Sequence, residues 1–560
     1  MTKFKIAIVN GRIVDGTGNP WYKANIGIDD GKITLITKSK ISGELLIDAN
    51  NCIVSPGFID IHSHSDMGFR NLIYNKAMNR VMQGITTEAV GNCGFSAYGW
   101  TREYAEKYQE RLKKFGVEYV IDWTRLSEWK KKVEERGYAI NIAPFVGFGT
   151  IRTSVLGEEG EGGERSEVSC EELNSMKKLL REAMDDGAFG LTAGLEYSVQ
   201  RNAYTEELIE MCKVVAEYNG LFMAHIRSEE EMLIEAVKEF IRICEESGIS
   251  GSISHHKACH PNSWGKPFET VRLIREARRR GVDVICDQYP WLKVAIRNVG
   301  EFFRIEGEEE LSLDEREKII EYMKDEEKWK KVKEEAIKKD EMEKEYIEKK
   351  KKEFVKRGMP FRMPWSPITY FVVAYSKTHP EFVNKNFTEI AKIMGLEDPW
   401  EAMRKLYIMD NGETTAAEGY MREEDVIEIM KQPFTTISTD GSAEDEPKSL
   451  HPRSYGTYPQ FLGYYVREKK IVELEEAIRK ITSLPARFLN LKDRGLIREG
   501  YWADIVIFDE NEIENLATYE KPCTYPKGIK YVIVNGEIVM ENGKHTGKLP
   551  GKVLKYNTKT

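Results

Sequence analysis

The sequence has no Cys-x-x-Cys, and its eight cysteines are scattered over 560 residues. That argues against a disulfide scaffold and makes a reducing cytoplasm the expected location. No apolar run approaches the length of a membrane span. The N-terminal stretch reaches Asn10-Gly11 before a signal-like apolar segment develops, so no targeting peptide and no membrane partner are expected. Basic excess is missing too. Lys and Arg total 83 against 92 Asp and Glu, a net charge of -9, which speaks against a nucleic-acid partner. What is present, 41% hydrophobic and 10% aromatic residues, suits a folded chain with one large domain and a smaller one. No oligomeric state is legible in this pattern.

The two ends resemble each other. Val9-Asn10-Gly11-Arg12-Ile13-Val14 and Val534-Asn535-Gly536-Glu537-Ile538-Val539 each break a strand-like run at Asn-Gly, a strong hairpin signal. Residues 1–55 and 491–560 are therefore expected to form one small β-sandwich domain built from both termini. Over residues 56–490, strand-like runs (138–146, 188–192, 221–225, 251–255, 282–286, 435–439) alternate with amphipathic stretches (169–186, 205–219, 229–247, 267–280). This alternation predicts an α/β fold with a parallel sheet, and the number of units suits a (β/α)₈ TIM-type barrel. Residues 301–358, dominated by Lys and Glu, predict a solvated helical insertion over the active-site face, placed where it can act as a lid.

The chemistry-bearing residues sit at the predicted strand ends. Phe58-Ile59-Asp60-Ile61-His62-Ser63-His64 puts two imidazoles on one face of an extended chain, a donor pair that suits a transition metal such as zinc. His225 closes Leu221-Phe222-Met223-Ala224-His225, and His255 closes Ser252-Ile253-Ser254-His255. In a barrel these ends converge on one mouth, whereas His256 is expected to point away. Asp440, in Ser438-Thr439-Asp440-Gly441, ends a later strand as a metal ligand, a general base or both; a turn-forming Asp is the alternative. Cys93, between Gly91-Asn92 and Gly94, offers a thiolate that a metal would itself deprotonate.

Taken together, Pro56-Gly57-Phe58-Ile59-Asp60-Ile61-His62-Ser63-His64, Gly91-Asn92-Cys93-Gly94, Ser254-His255-His256-Lys257, Ser438-Thr439-Asp440-Gly441, His451-Pro452-Arg453 and Gly500-Tyr501-Trp502-Ala503-Asp504 resemble the amidohydrolase superfamily in its D-aminoacylase branch. The resemblance implies that Cys93, His225 and His255 hold one tightly bound zinc. His62, His64 and Asp440 would then surround a second, weaker position, with Cys93 able to bridge. Relatives that use a carboxylated Lys after the fourth strand find no counterpart in Gly190-Leu191-Thr192-Ala193-Gly194-Leu195. The implied reaction is hydrolysis of N-acyl-D-amino acids: zinc lowers the pKa of its water from about 15.7 towards about 7, and Asp440 moves the proton to the leaving amine. The substrate is a small molecule with a free carboxylate, gripped by residues matching Tyr197, Lys257, Tyr289 and Arg453. After Tyr289-Pro290 the chain departs from the family pattern with Trp291-Leu292-Lys293-Val294-Ala295-Ile296-Arg297, which predicts a reshaped pocket. Alternatives on the same barrel are a dipeptidase, a hydantoinase- or dihydroorotase-like cyclic-amide hydrolase, and a non-catalytic interaction protein.

Overall fold

In the computed structural model, which describes residues 3–114, 120–157, 165–197, 199–303, 316–361 and 367–556, short buried runs form a ring of parallel strands. In ring order they are Phe58–Asp60, Ile85–Val90, Asn141–Pro144 continuing as Val146–Gly147, Gly190–Gly194, Leu221–His225, Ser250–Ile253, Val284–Gln288 and Thr435–Ile437. Covered on both faces, they need apolar residues on both, which is why they read as continuous runs. The third strand is split at Phe145, its first half bonding to the second strand and its second half to the fourth. The eighth and first strands join beyond their regular ends. Asp440 donates its N–H to the His62 carbonyl (2.9 Å), and His64 donates to the Gly441 carbonyl (2.8 Å). The ring thus closes through residues that carry chemistry.

Helices Cys170–Asp186, Thr205–Glu217, Leu233–Ser247 and Pro267–Arg279 alternate with the strands along the chain and pack against one another in sequence order. The first opens with a capping box between Ser169 and Glu172, which satisfies its leading N–H groups. The helix expected from residue 229 starts only at Leu233, because Glu229 and Glu230 turn into the barrel mouth. The strand expected through 255 stops at Ile253, since His255 adopts φ 35°.

The termini build a nine-stranded sheet in which Ile505–Phe508 pairs antiparallel with Ile53–Pro56. The two Asn-Gly pairs behave differently. Asn535-Gly536 makes the expected hairpin between Ile529–Val534 and Glu537–Glu541, with both residues at positive φ (50° and 76°), as a tight primed turn demands. Asn10-Gly11 makes no turn. It is a bulge inside the single strand Lys3–Ile13, and across it the strand changes parallel partner from Ser42–Asp48 to Ile53–Pro56. Lys3–Ile13 thereby pairs with three strands and folds the sheet around a core of Ile6, Ile8, Ile26, Ile28, Ile505 and Ile533.

Between the seventh and eighth strands lies a second body with its own core. An antiparallel sheet of Ile296–Asn298, Thr415–Ala417 and Val372–Tyr375 packs with helices that bury Trp329, Trp400 and Tyr407. The charged stretch supplies Arg316–Lys324 and the 31-residue helix Glu326–Lys356; its residues 304–315 lie outside the described residues. The near end of the long helix joins that core. Its far end reaches back to the barrel, where Ile347 and Phe354 are buried with Phe361 beside Tyr204, and Arg201 pairs with Glu343 at 2.6 Å.

Candidate metal centre

Cys93 is held by the turn Asn92–Gly94 that follows the second strand. Gly91, at φ 85°, must be glycine: a Cβ there would lie 2.0 Å from the Phe145 carbonyl oxygen. Asn92 donates to the carbonyls of Ile61, Ser63 and Ala89, which pins the turn to the first strand's end. Gly194 is constrained in the same way, its Cβ position lying 2.3 Å from the Cys93 carbonyl oxygen. Cys93, His255 and Asp440 all adopt left-handed backbone, at φ 53°, 35° and 47°, a conformation that costs about 1–3 kcal/mol for non-glycine residues and concentrates at functional sites.

Around this turn the six metal-type residues converge. Cys93 Sγ lies 3.3 Å from His62 Nε2 and 3.6 Å from His255 Nε2. Asp440 Oδ1 lies 3.1 Å from His64 Nε2 and 3.5 Å from His62 Nε2. The His225 ring stands edge-to-face with His255 at 4.6 Å. Among the described residues, the compact groups that could hold an ion are His62–Cys93–His255, His62–His64–Asp440 and His225–Glu229–His255. A nitrogen and a sulfur bound to one tetrahedral zinc lie about 3.6 Å apart, so the spacing fits. A second sign of fit is His225 Nε2, which is buried and, among the described residues, makes no well-aligned hydrogen bond, although Glu196 Oε2 lies 3.2 Å away.

Neighbouring acids set which ring nitrogen faces the centre. Glu229 Oε1 lies 2.8 Å from His255 Nδ1 and 2.6 Å from Lys257 Nζ. Asp287 Oδ2 sits 3.5 Å from His62 Nδ1, while its Oδ1 accepts the His255 N–H at 2.9 Å. At His62 the Nδ1 edge faces Asp287, and at His255 it meets both Glu229 and Lys257 Nζ (2.6 Å), so both rings turn Nε2 towards Cys93, as metal-binding imidazoles require. Glu229, Asp287 and Glu196 were not singled out from the sequence. Asp287 had a signal, a carboxylate inside the apolar run Val284-Ile285-Cys286-Asp287; Glu229 and Glu196 had none.

The electrostatics are those of a buried cation site. Burial alone would raise the Cys93 thiol, but the imidazoles of His62, His225 and His255 bring it well below its ordinary value. Burial disfavours charged imidazoles, yet Asp440 and Cys93 lift His64 to about 9, and Glu229, Cys93 and Glu196 lift His225 to about 10. Asp440 is held well below the usual carboxylate range: burial opposes this, and Arg453, His255 and His64 overcome it.

The four expected carboxylate-binding residues gather at the same mouth. Arg453 Nη1 bonds Asp440 Oδ2 at 2.7 Å. Lys257 is buried against Glu229 rather than on the rim. Tyr289 lies between them, its ring 5.5 Å from Lys257 Nζ and 5.0 Å from the Arg453 guanidinium. The Tyr197 hydroxyl meets His225 Nδ1 at 3.3 Å. His256 points away, bonded to Thr270 at 2.9 Å. A cleft of about 340 Å³ opens above, walled by Phe95, Glu230, His260, Val294, Arg297 and Glu418 among others. Among the described residues, no helix is long and apolar enough to cross a membrane.

Comparison with known proteins places this geometry in a family. Residues 45–341 and 375–540 match the model of the amidohydrolase family. The chain is 28% identical to the N-acyl-D-aspartate deacylase of Alcaligenes xylosoxydans xylosoxydans, over 98% of this chain and 94% of that one. It is also 28% identical to the D-aminoacylase of the same organism, over 98% and 97%. The crystal structure of N-acyl-D-glutamate deacylase from Bordetella bronchiseptica, complexed with zinc and a phosphonate mimic of the tetrahedral intermediate, matches with a TM-score of 0.73 at 27% identity, covering 99% of this chain and all of that one. A D-hydantoinase at 17% identity and TM-score 0.53 shares the fold. A barrel whose mouth gathers Cys93, four histidines and Asp440, matched along nearly its whole length, belongs to the amidohydrolase family, in its D-aminoacylase branch.

Proposed function

We propose that this chain hydrolyses the amide bond of N-acyl-D-amino acids, with Cys93, His225 and His255 holding one zinc tightly and His62, His64 and Asp440 lining a weaker second position that Cys93 can bridge. The observation that carries the reading is the meeting of a thiolate, imidazole Nε2 atoms and Asp440 beside the cations Arg453 and Lys257. Zinc bound there supplies Lewis acidity towards a water and an amide carbonyl.

The chain's own residues do the rest. Asp440 accepts a proton from the attacking water at a carboxylate oxygen and returns it to the departing amine nitrogen. The Arg453 fork, which carries more donors than Asp440 uses, takes the substrate carboxylate, with Lys257 adding charge. Tyr289, whose hydroxyl has no partner among the described residues, and Tyr197 complete its hydrogen bonds. The unpaired state of the eight cysteines supports a cytoplasmic location. The stretch 301–358 is read as an insertion over the active-site face, placed where it can act as a lid, a reading supported by the pairing of Glu343 on its long helix with Arg201 beside the mouth.

The test is metal analysis of protein purified without chelators, followed by N-acetyl-D- and L-amino acids assayed beside dipeptides and hydantoins. Zinc-bearing protein with a clear preference for the N-acyl-D compounds is the expected result. Turnover of hydantoins or dipeptides alone overturns the substrate assignment, and zinc-free protein overturns the whole reading.

A further inference from the structure

We infer that His451 is a positioning residue, one that holds Arg453 where its guanidinium meets the substrate carboxylate; the inference rests on the role given to Arg453 above. Arg453 opens the short helix Arg453–Pro459, so its N–H has no partner within that helix. The buried His451 ring supplies one: Nδ1 accepts the Arg453 N–H at 3.1 Å. The opposite nitrogen, Nε2, then carries the ring proton and donates it to the Lys293 carbonyl at 3.0 Å. Burial and the Arg453 guanidinium hold this imidazole well below its ordinary value, so it stays neutral, with one nitrogen accepting and the other donating.

A second bridge reaches the same residue from its other side. Trp291 Nε1 donates to Thr457 Oγ1 at 3.1 Å, and that hydroxyl donates to the Arg453 carbonyl at 2.8 Å. The N–H and C=O of Arg453 are thus both tied to the segment Trp291–Lys293, where the sequence departs from the family pattern. That segment has anchors of its own. The Lys293 N–H donates to the Tyr519 hydroxyl at 3.1 Å, and Lys293 Nζ donates to Asn384 Oδ1 at 2.6 Å. Its next residues, Val294 and Ala295, wall the cleft that Arg453 also lines. A guanidinium fork gripping a carboxylate needs a fixed geometry, and a misplacement of about 1 Å can cost on the order of 10²-fold. Bonds on both sides of the Arg453 backbone remove that freedom.

The test compares wild type with full-length His451→Ala, His451→Asn and Trp291→Phe, each confirmed folded by circular dichroism and zinc-loaded by metal analysis. Alanine loses both ring bonds. Asparagine places an oxygen where Nδ1 stood and keeps the bond to Arg453, while phenylalanine keeps an aromatic ring at 291 and loses the bond to Thr457. The kcat/KM is measured for an N-acetyl-D-amino acid and for its carboxamide, which lacks the carboxylate charge. Arg453 also holds Asp440, but that contact serves both substrates alike, so the ratio of the two values isolates the carboxylate. The ratio is expected to fall about tenfold or more in His451→Ala and about fivefold in Trp291→Phe, and to stay within about twofold of wild type in His451→Asn. An unchanged ratio in His451→Ala overturns the inference, as does a ratio in His451→Asn as low as in His451→Ala. Should His451→Ala fail to fold or to hold zinc, Trp291→Phe decides, and a wild-type ratio there overturns the inference. A wild type that treats acid and carboxamide alike instead overturns the carboxylate role of Arg453, so the two failures are seen in different proteins.

Discussion

At the residue scale, the left-handed backbone at Cys93, His255 and Asp440 decides which substitutions are informative. Asparagine tolerates that conformation and keeps the shape of aspartate, so Asp440→Asn removes charge without adding backbone strain. It is expected to keep tightly bound zinc while turnover falls on the order of 10²- to 10⁴-fold; near-normal turnover takes Asp440 out of the proton-moving role. Cys93→Ser is the converse. A serine hydroxyl is not brought to an anion by three imidazoles, so the variant is expected to lose most of its zinc, as metal analysis after dialysis will read. Retention of full zinc there removes the thiolate from the centre. The histidines and cysteine were legible because each follows an apolar run that ends in a turn. Glu196 and Glu229 were not, because what aims a loop carboxylate is a contact between residues such as Glu196 and Glu229 N–H that only the folded chain brings together.

At the element scale, legibility followed burial. Leu221–His225 matched its expected bounds because a fully covered strand is apolar from end to end. Runs 251–255 and 435–439 ended early because His255 and Asp440 turn the chain. The twin Asn-Gly pairs show the limit of a local signal: both set the backbone to positive φ at asparagine, and only the partner strands decide between a hairpin at 535 and a bulge at 10. The helix Glu326–Lys356 had legible charge but not legible reach. Its far end braces the segment from Arg201 to Tyr204, close behind Glu196 and Tyr197. Phe354, fully buried there and packed on Phe361 and Tyr204, is the residue to remove. Phe354→Ala is expected to cost about 3–5 kcal/mol, read as a lower Tm by calorimetry, and to raise KM several-fold with zinc content unchanged. A lower Tm with unaltered KM reduces the helix to a strut.

At the scale of the whole molecule, the sheet made by the chain ends leads directly into the site: Ile53–Pro56, paired with Ile505–Phe508, continues into Phe58–Asp60 and then His62. Folding of both termini is therefore tied to the metal centre, and so are its protons. In the metal-free protein His64 is lifted to about 9 and His225 to about 10, from an ordinary 6.5. A histidine whose folded pKa exceeds its unfolded one contributes stability that is fully present below about pH 6.5 and lost as pH rises through the folded value. The metal-free protein should accordingly lose stability between about pH 6.5 and 10. Zinc at the tight position takes the place of the His225 proton and zinc at the second position that of His64, so the Tm gap between zinc-loaded and metal-free protein is expected to widen across the same interval. The same exchange requires that zinc uptake at pH 7 release protons, which isothermal calorimetry in buffers of differing ionisation enthalpy measures directly. Uptake with no proton release, or a Tm gap that narrows as pH rises, contradicts a centre in which imidazolium protons and zinc compete for the same buried anions, because Cys93 and Asp440 cannot be neutralised twice.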